Sequence, residues 1–307
     1  MGPGRSIKSS ELIPSFDYLT RAADESGKIR VLAARTTLLV EECRERHKIY
    51  PTVTAAIGRV LTAAALMGAC LKGEETLTLR ILGNGPVEGM ISDANAKGEV
   101  RGYPKNPHVY VPLNPWNKLD VAGVVGNQGS LCVTYDLDLK KPYTGCTPLV
   151  SGEIAKDLVY YFYTSEQIPS IVSLGVLVGW DGVIAAGGIL LQLLPGAEKS
   201  LIPRLEENAV KLSDVSRLIE EGKTPENLAQ MALKGMKIRA LGKQTLHFKC
   251  RCSKEKLKDI LAALGEKEIR DILMKDGKAE ASCPFCGHKY LIQHQELEAM
   301  LSEIRRK

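Results

Sequence analysis

Aromatic residues are scarce in this 307-residue chain: Phe, Trp and Tyr make up only 5% of it. Its core must therefore be built from Val, Leu, Ile and Ala, since the hydrophobic share is an ordinary 44%. Long apolar runs are lacking too. The most apolar helical stretch, Ala55 to Leu71, is interrupted by Arg59 and falls short of the ~20 apolar residues a bilayer-spanning helix needs. No membrane partner is expected. The opening residues, Met1-Gly2-Pro3-Gly4-Arg5-Ser6, lack the apolar region of a secretory signal and read as an appended leader. A cytoplasmic location follows, where thiols are normally kept reduced.

Strong charge of one sign is also missing. The net charge is +5, too little to argue for nucleic acid without a concentrated basic patch. Walker and G-x-S-x-G motifs are absent from the sequence, and Gly83-Asn84-Gly85-Pro86 lacks the later glycine of a dinucleotide fingerprint. The five histidines, His47, His108, His247, His288 and His294, have no nucleophile context. These absences point away from an enzyme and from an ATP-driven machine.

What is present reads as an α+β fold. Lys28 to Thr36 is a strand, followed by a helix through Leu38, Leu39, Val40 and Cys43, and Pro51 breaks the chain. The small residues of Thr54 to Lys72 imply a buried helix with a close neighbour. Thr76 to Leu82, Val87 to Asn95 and Glu99 to Tyr103 form a meander, and Leu131 to Leu139 alternates as a half-buried strand. A helix opens at Ser151-Gly152-Glu153. Ile171 to Val178 and Val183 to Leu194 flank Gly179-Trp180-Asp181-Gly182 as a hairpin. An antiparallel sheet covered by helices on one side accommodates these elements. In the aromatic run Tyr160 to Tyr163, core packing is the expectation.

Composition divides the chain into an N-terminal antiparallel-sheet and helix domain (1–196), a helical linker (197–240) and a small C-terminal domain (241–307). The linker is densely charged, and its short apolar stripes (Leu201, Leu205, Ala209; Val215, Leu218, Ile219; Leu228, Met231, Ala232) suggest weak packing on the first domain. In the last segment, Ser253 is placed to cap a helix over Lys254 to Leu264, which Gly265 stops. A second helix covers Glu266 to Met274, Ala279 to Ser282 and Lys289 to Gln293 form a hairpin, and a last helix covers Leu297 to Ile304.

That segment carries the chemistry. Cys250-Arg251-Cys252 and Cys283-Pro284-Phe285-Cys286 are two close pairs, the spacing of a four-thiolate site for one Zn²⁺. Residues i and i+2 of an extended segment point to one side, so both sulfurs of the first pair reach one ion. Lys249, Arg251, Lys254, Lys256 and Lys289 offer positive charge near the thiolates. A segment this short has little core, and a structural zinc contributes roughly 10–16 kcal/mol in finger-sized units. The same pattern suits a permanently closed zinc ribbon or a redox switch, and the four-cysteine set is preferred to one in which His288 replaces a cysteine. The remaining cysteines, Cys43, Cys70, Cys132 and Cys146, are scattered and need no special role.

Two further classes compete. A nucleic-acid-binding zinc ribbon needs a basic face, but residues 241–307 carry fourteen Lys/Arg against ten Asp/Glu, a small and mixed excess. A thiol oxidoreductase needs C-x-x-C at a helix N-terminus, and here the motif sits in a hairpin.

The set Phe248-Lys249-Cys250-Arg251-Cys252-Ser253, Ala279-Glu280 and Cys283-x-x-Cys286 resembles the redox-regulated heat-shock chaperone family, the 33 kDa chaperonins. Tyr50-Pro51-Thr52, Gly83-Asn84-Gly85-Pro86, Gly126-Asn127-Gln128-Gly129, Tyr143-Thr144-Gly145 and Gly187-Gly188 extend the resemblance over nearly the whole chain, the first eight or so residues excepted. The resemblance implies an ATP-independent holdase whose four cysteines bind one zinc when reduced. It implies that oxidation forms Cys250–Cys252 and Cys283–Cys286 disulfides, releases zinc and unfolds the distal domain and linker. It also implies homodimers of the oxidised form, unfolding proteins as clients, and hand-off to ATP-dependent foldases.

Overall fold

The computed structural model describes residues 16–304; the proposed leader, Met1–Ser6, lies outside them. The first compact unit ends at Phe248 and the second begins at Lys249.

The first unit is organised around one helix. After α1 (Thr37–His47), α2 (Pro51–Gly68) begins at Pro51, so that proline starts the helix rather than breaking the chain. Proline has no N–H to lose at the first helical position, and its fixed φ already suits a helix. Only Pro51 and Arg59 along α2 escape full burial. At Gly58 a Cβ would lie 2.7 Å from Val40 and 2.8 Å from Val176, so the missing side chain is what lets neighbours close in. The buried hydroxyl of Thr62 is satisfied by Thr36 at 2.7 Å and by the Gly58 carbonyl at 2.8 Å.

Two sheets enclose α2, where the sequence suggested one. The first has the order β10 (Ile238–Thr245), β1 (Tyr18–Asp24), β2 (Ile29–Arg35), β9 (Val183–Leu193), β8 (Ser170–Val178), antiparallel throughout. The second runs β11 (His247–Phe248), β5 (Glu99–Pro104), β4 (Met90–Asn95), β3 (Thr76–Gly83), β6 (Gly129–Asp136), β7 (Tyr143–Pro148), with only β11 and β5 parallel. Helix α2 touches β2, β8 and β9 of one sheet and β3, β4 and β5 of the other. β10 and β11 belong to the first unit because they pair with β1 and β5.

Several local expectations shift. β6 ends at Asp136, short of Leu139, because its pairing with β7 stops at Tyr135–Tyr143; Leu139 is left exposed. α3 (Val121–Val125) is a single turn capped by Asp120. The Ser151 region turns into α4 (Ala155–Tyr161), with Ile154 at φ 67°, a backbone region β-branched residues avoid. Fully buried Asp157 holds that turn, its carboxylate accepting from the N–H groups of Val150, Ser151 and Ile154 at 2.8 Å. Tyr161 and Phe162 are core residues as expected, whereas Tyr163 is exposed. Cys132 and Cys146 are not scattered: they oppose each other on β6 and β7 and are disulfide-bonded.

The helical stretch expected to pack weakly forms a buried layer instead. α5 (Ile202–Val210), α6 (Val215–Glu220) and α7 (Pro225–Ala232) contribute Leu205, Val215, Ile219, Leu228 and Ala229 to one cluster with Ile29, Val31 and Ile189 of the first sheet. Each stripe is short, but three helices pool theirs on one sheet face. At Gly175 on β8 a Cβ would lie 2.7 Å from the Ser216 backbone nitrogen, so only glycine admits α6 this closely.

In the second unit the Ser253 hydroxyl accepts from Lys256 N–H and starts α8 (Lys254–Leu264). Gly265, at φ 99°, separates it from α9 (Glu266–Asp276). β12 (Ala279–Ser282) and β13 (Lys289–Ile292) form the expected hairpin, and α10 (His294–Ile304) follows. The buried cluster is Leu261, Ile269, Ile292, Leu297, Met300 and Leu301.

Candidate metal centre

Cys250 and Cys252 lie on the extended segment that leads into the Ser253 cap, and Cys283 and Cys286 on the turn joining β12 to β13. That turn is closed by the Cys283 N–H donating to the His288 carbonyl at 2.9 Å and the Gly287 N–H donating to the Cys283 carbonyl at 2.8 Å. Gly287, at φ 70°, completes it. The four Sγ atoms converge within 4.8 Å of one another. Cys250 and Cys283 are 3.6 Å apart, and Cys252 and Cys286 are 3.4 Å apart. A tetrahedron of sulfurs around an ion at the usual Zn–S length has edges of about 3.8 Å, so this donor set fits a four-coordinate soft-metal site. His288 is not among the converging donors; its ring meets Tyr290 edge-on at 4.5 Å.

Crowding sets the acidity of the thiols. Burial alone drives Cys250 up, but hydrogen bonds from the Cys252 backbone and the other three thiols outweigh it and bring Cys250 down to about 7. Burial, reinforced by hydrogen bonds to neighbouring thiols, pushes Cys286 up to about 12, and burial raises Cys283 as well. Ionising one sulfur thus makes the next harder to ionise, a penalty that a divalent cation at the centre removes.

The surrounding cations are partly spoken for. Lys254 and Lys258 grip Glu296 at 2.7 and 2.9 Å and hold its carboxyl well below the usual range, at about 2. Lys289 pairs with Glu280 at 3.4 Å, and Lys256 donates to the Arg251 carbonyl at 2.9 Å. Tyr290 was not anticipated: its hydroxyl donates to Cys252 Sγ at 3.0 Å. Such an outer partner orients a ligand sulfur and tempers its charge. Its position on β13, two residues after His288, was open to sequence reading, but its aim at Cys252 depends on the hairpin register.

Two motifs of the first unit also meet. The Asn84 and Gly85 N–H groups donate to the Gln128 and Val125 carbonyls at 2.8 and 2.9 Å, and the Gln128 N–H donates to Asn84 Oδ1. Gly83-Asn84-Gly85-Pro86 is therefore a docked turn.

These features define an α+β protein whose smaller unit is built around four converging thiols able to hold a metal ion. Comparison with known proteins narrows the class. The family model described as Hsp33 protein matches residues 17–293. The 33 kDa chaperonin of Geobacillus kaustophilus (strain HTA426) is 50% identical over 285 residues, covering 92% of this chain and 97% of that protein. The 33 kDa chaperonin of Bacillus subtilis (strain 168) is 45% identical over 292 residues, covering 95% of this chain and all of the relative. The crystal structure of the 33 kDa chaperonin (heat shock protein 33 homolog) from Thermotoga maritima superposes with a TM-score of 0.86 at 38% identity, covering 95% of this chain and 99% of that one. The chain belongs to the Hsp33 family. Its relatives are chaperonins by name and not enzymes.

Proposed function

We propose that the chain is a redox-regulated, ATP-independent holdase that binds unfolding proteins and keeps them from aggregating under oxidative and heat stress. The observation that carries this reading is the convergence of Cys250, Cys252, Cys283 and Cys286 in a chaperonin-family chain. When reduced, the four thiolates hold one Zn²⁺, and the bound ion ties the Cys250–Cys252 segment to the β12–β13 turn. The second unit, from Lys249 on, acts as the redox domain, residues 197–237 act as a metastable linker, and residues 1–196 act as the chaperone core, onto whose sheets β10 and β11 pair.

Oxidation joins Cys250 to Cys252 and Cys283 to Cys286. Each pair of thiols gives two electrons to one hydroperoxide, which leaves as two waters when the oxidant is hydrogen peroxide. Four thiolate donors are thereby lost, so metal binding and the disulfide state exclude each other. The second unit then loses its tie, and its six buried apolar residues are a small core to stand alone. Helices α5, α6 and α7 span nine, six and eight residues. Helices this short are marginal away from their packing partners, which supports their opening alongside the redox domain. The exposed apolar faces take up clients, and the active form is a homodimer that later passes clients to ATP-dependent foldases. A cytoplasmic setting, with thiols reduced at rest, completes the reading.

Cys252→Ser tests it. The variant is expected to bind zinc more weakly and to suppress light scattering by a heat-unfolding client without oxidant. Wild-type zinc affinity and wild-type dependence on oxidant in this variant would overturn the proposal.

A further inference from the structure

The Cys132–Cys146 pair lies in the first unit, apart from the four-thiol cluster, and has its own structural logic. Cys132 on β6 stands directly across from Cys146 on β7, with the Cα atoms 4.1 Å apart. So short a separation marks a position where the two residues exchange no backbone hydrogen bonds. The flanking pairs, Val133–Gly145 and Leu131–Thr147, therefore carry the ladder bonds. Among the described residues β7 is the edge strand of its sheet and pairs only with β6. Cys146 is exposed and Cys132 is buried, so one sulfur meets reagents and the other waits behind it. On its other side Cys132 is opposed by Arg80 of β3, and a cation beside that position favours Cys132 as the leaving sulfur when an external thiol attacks Cys146. The same face carries Thr134 and Thr144, whose hydroxyls are 2.8 Å apart. Strand pairing thus presents the two thiols to each other whether or not they are bonded.

We infer that Cys132 and Cys146 form a second, reversible redox site, oxidised by hydroperoxides and reduced by low-molecular-weight thiols, which staples the edge strand β7 to β6. In the forward direction, the Cys146 thiolate attacks a peroxide oxygen. It becomes a sulfenic acid as the O–O bond breaks and water or an alcohol leaves. The Cys132 thiol then displaces that hydroxyl, forming the S–S bond and releasing one water. In the reverse direction, one external thiolate attacks Cys146 and frees Cys132 as a thiol. A second external thiol resolves the mixed disulfide, leaving both cysteines reduced and the external pair oxidised. The strand that is held matters to the core: Gly145 lies so close to Tyr161 and Ser165 that a Cβ there would sit 3.1 and 2.6 Å from their hydroxyl oxygens. Resting on the holdase reading for its consequence, the site acts opposite to the four-thiol cluster. The same oxidant that loosens the second unit fastens the first.

The test uses the full zinc-loaded chain equilibrated in glutathione buffers of graded ratio, with differential alkylation and peptide mass spectrometry. Residues 132 and 146 are expected to pass together from two alkylated thiols to one disulfide, and back on reversing the buffer. In the oxidised protein the Gly145 and Thr147 amides are expected to exchange at least about tenfold more slowly than in the reduced protein. Cys146→Ser, an exposed position that accepts serine, should lack both responses. A pair that stays alkylatable in oxidising buffer, or that folded protein never releases in reducing buffer, overturns the inference. So does oxidation without any change in exchange at β7. None of these readouts involves clients, so failure of the holdase reading leaves them unaffected and separately visible.

Discussion

Leu228→Ala probes the layer that joins structure to proposed activity. Leu228 on α7 is completely buried, in one cluster with Leu205, Val215 and Ile219 of the helices and Ile29 and Val31 of the sheet. α7 packs on β1, β2 and β9, so the lost side chain leaves a hole between rigid elements. Removing three carbons forfeits roughly 2.4 kcal/mol at about 0.8 kcal/mol per buried group, and the residual cavity takes the cost toward about 4 kcal/mol. If α5 to α7 open from the sheet as a unit, amide exchange across residues 202–233 in the reduced, zinc-loaded protein should quicken roughly 50- to 1,000-fold. The helical layer would then be open far more often without oxidant, and the variant should suppress client scattering while still reduced. Hydrogen–deuterium exchange of wild type and variant measures the first effect, and light scattering the second. An exchange change below about fivefold would refute the claim that this layer is held by its shared core. Fast exchange without client protection would uncouple the layer from activity.

Asp157→Ala removes the acceptor for three backbone N–H groups at 2.8 Å around the strained Ile154 turn. We expect a loss of about 3–5 kcal/mol in urea unfolding, with Asp157→Asn losing less because one acceptor oxygen remains. Asp17 carries a pH signature: burial, opposed by hydrogen bonds such as that from the Leu39 N–H, raises its carboxyl from 3.8 to about 6. The folded state therefore holds this proton more tightly than the unfolded chain. Its stabilising contribution is complete below about pH 4 and is lost as pH rises through 6, a swing on the order of 3 kcal/mol. Asp17→Asn should gain stability relative to wild type by about that amount between pH 4 and 7, and a flat difference across that range would contradict the assignment.

The candidate site was legible because its signal is local. Two cysteine pairs with fixed spacing need only a turn and an extended segment to converge, and Ser253 and Gly265 mark helix ends by chemistry that acts within a few residues. What failed was non-local. β1, Tyr18–Asp24, carries no alternation because six of its seven residues are buried, so no face identifies it as a strand. Dividing the strands between two sheets depends on which partners α2 separates, and no single segment encodes that. The apolar stripes of α5 to α7 look weak one at a time and become a core only when pooled on β2, β8 and β9. Cys132 and Cys146 are fourteen residues apart, and only the β6–β7 register reveals that they face each other. Tyr290 likewise becomes a partner of Cys252 only through the fold of the β12–β13 hairpin.

The central claim is that oxidation of the four clustered thiols is what switches the chaperone on. It is tested most directly by titrating reduced, zinc-loaded protein with peroxide at elevated temperature. Zinc release, Cys250–Cys252 and Cys283–Cys286 disulfides, and suppression of client light scattering are then read on the same samples. The account predicts that the three quantities rise together and fall together on reduction with zinc restored. Full client protection by the reduced protein with its zinc retained, or zinc and disulfide changes that leave protection unaltered, would contradict it.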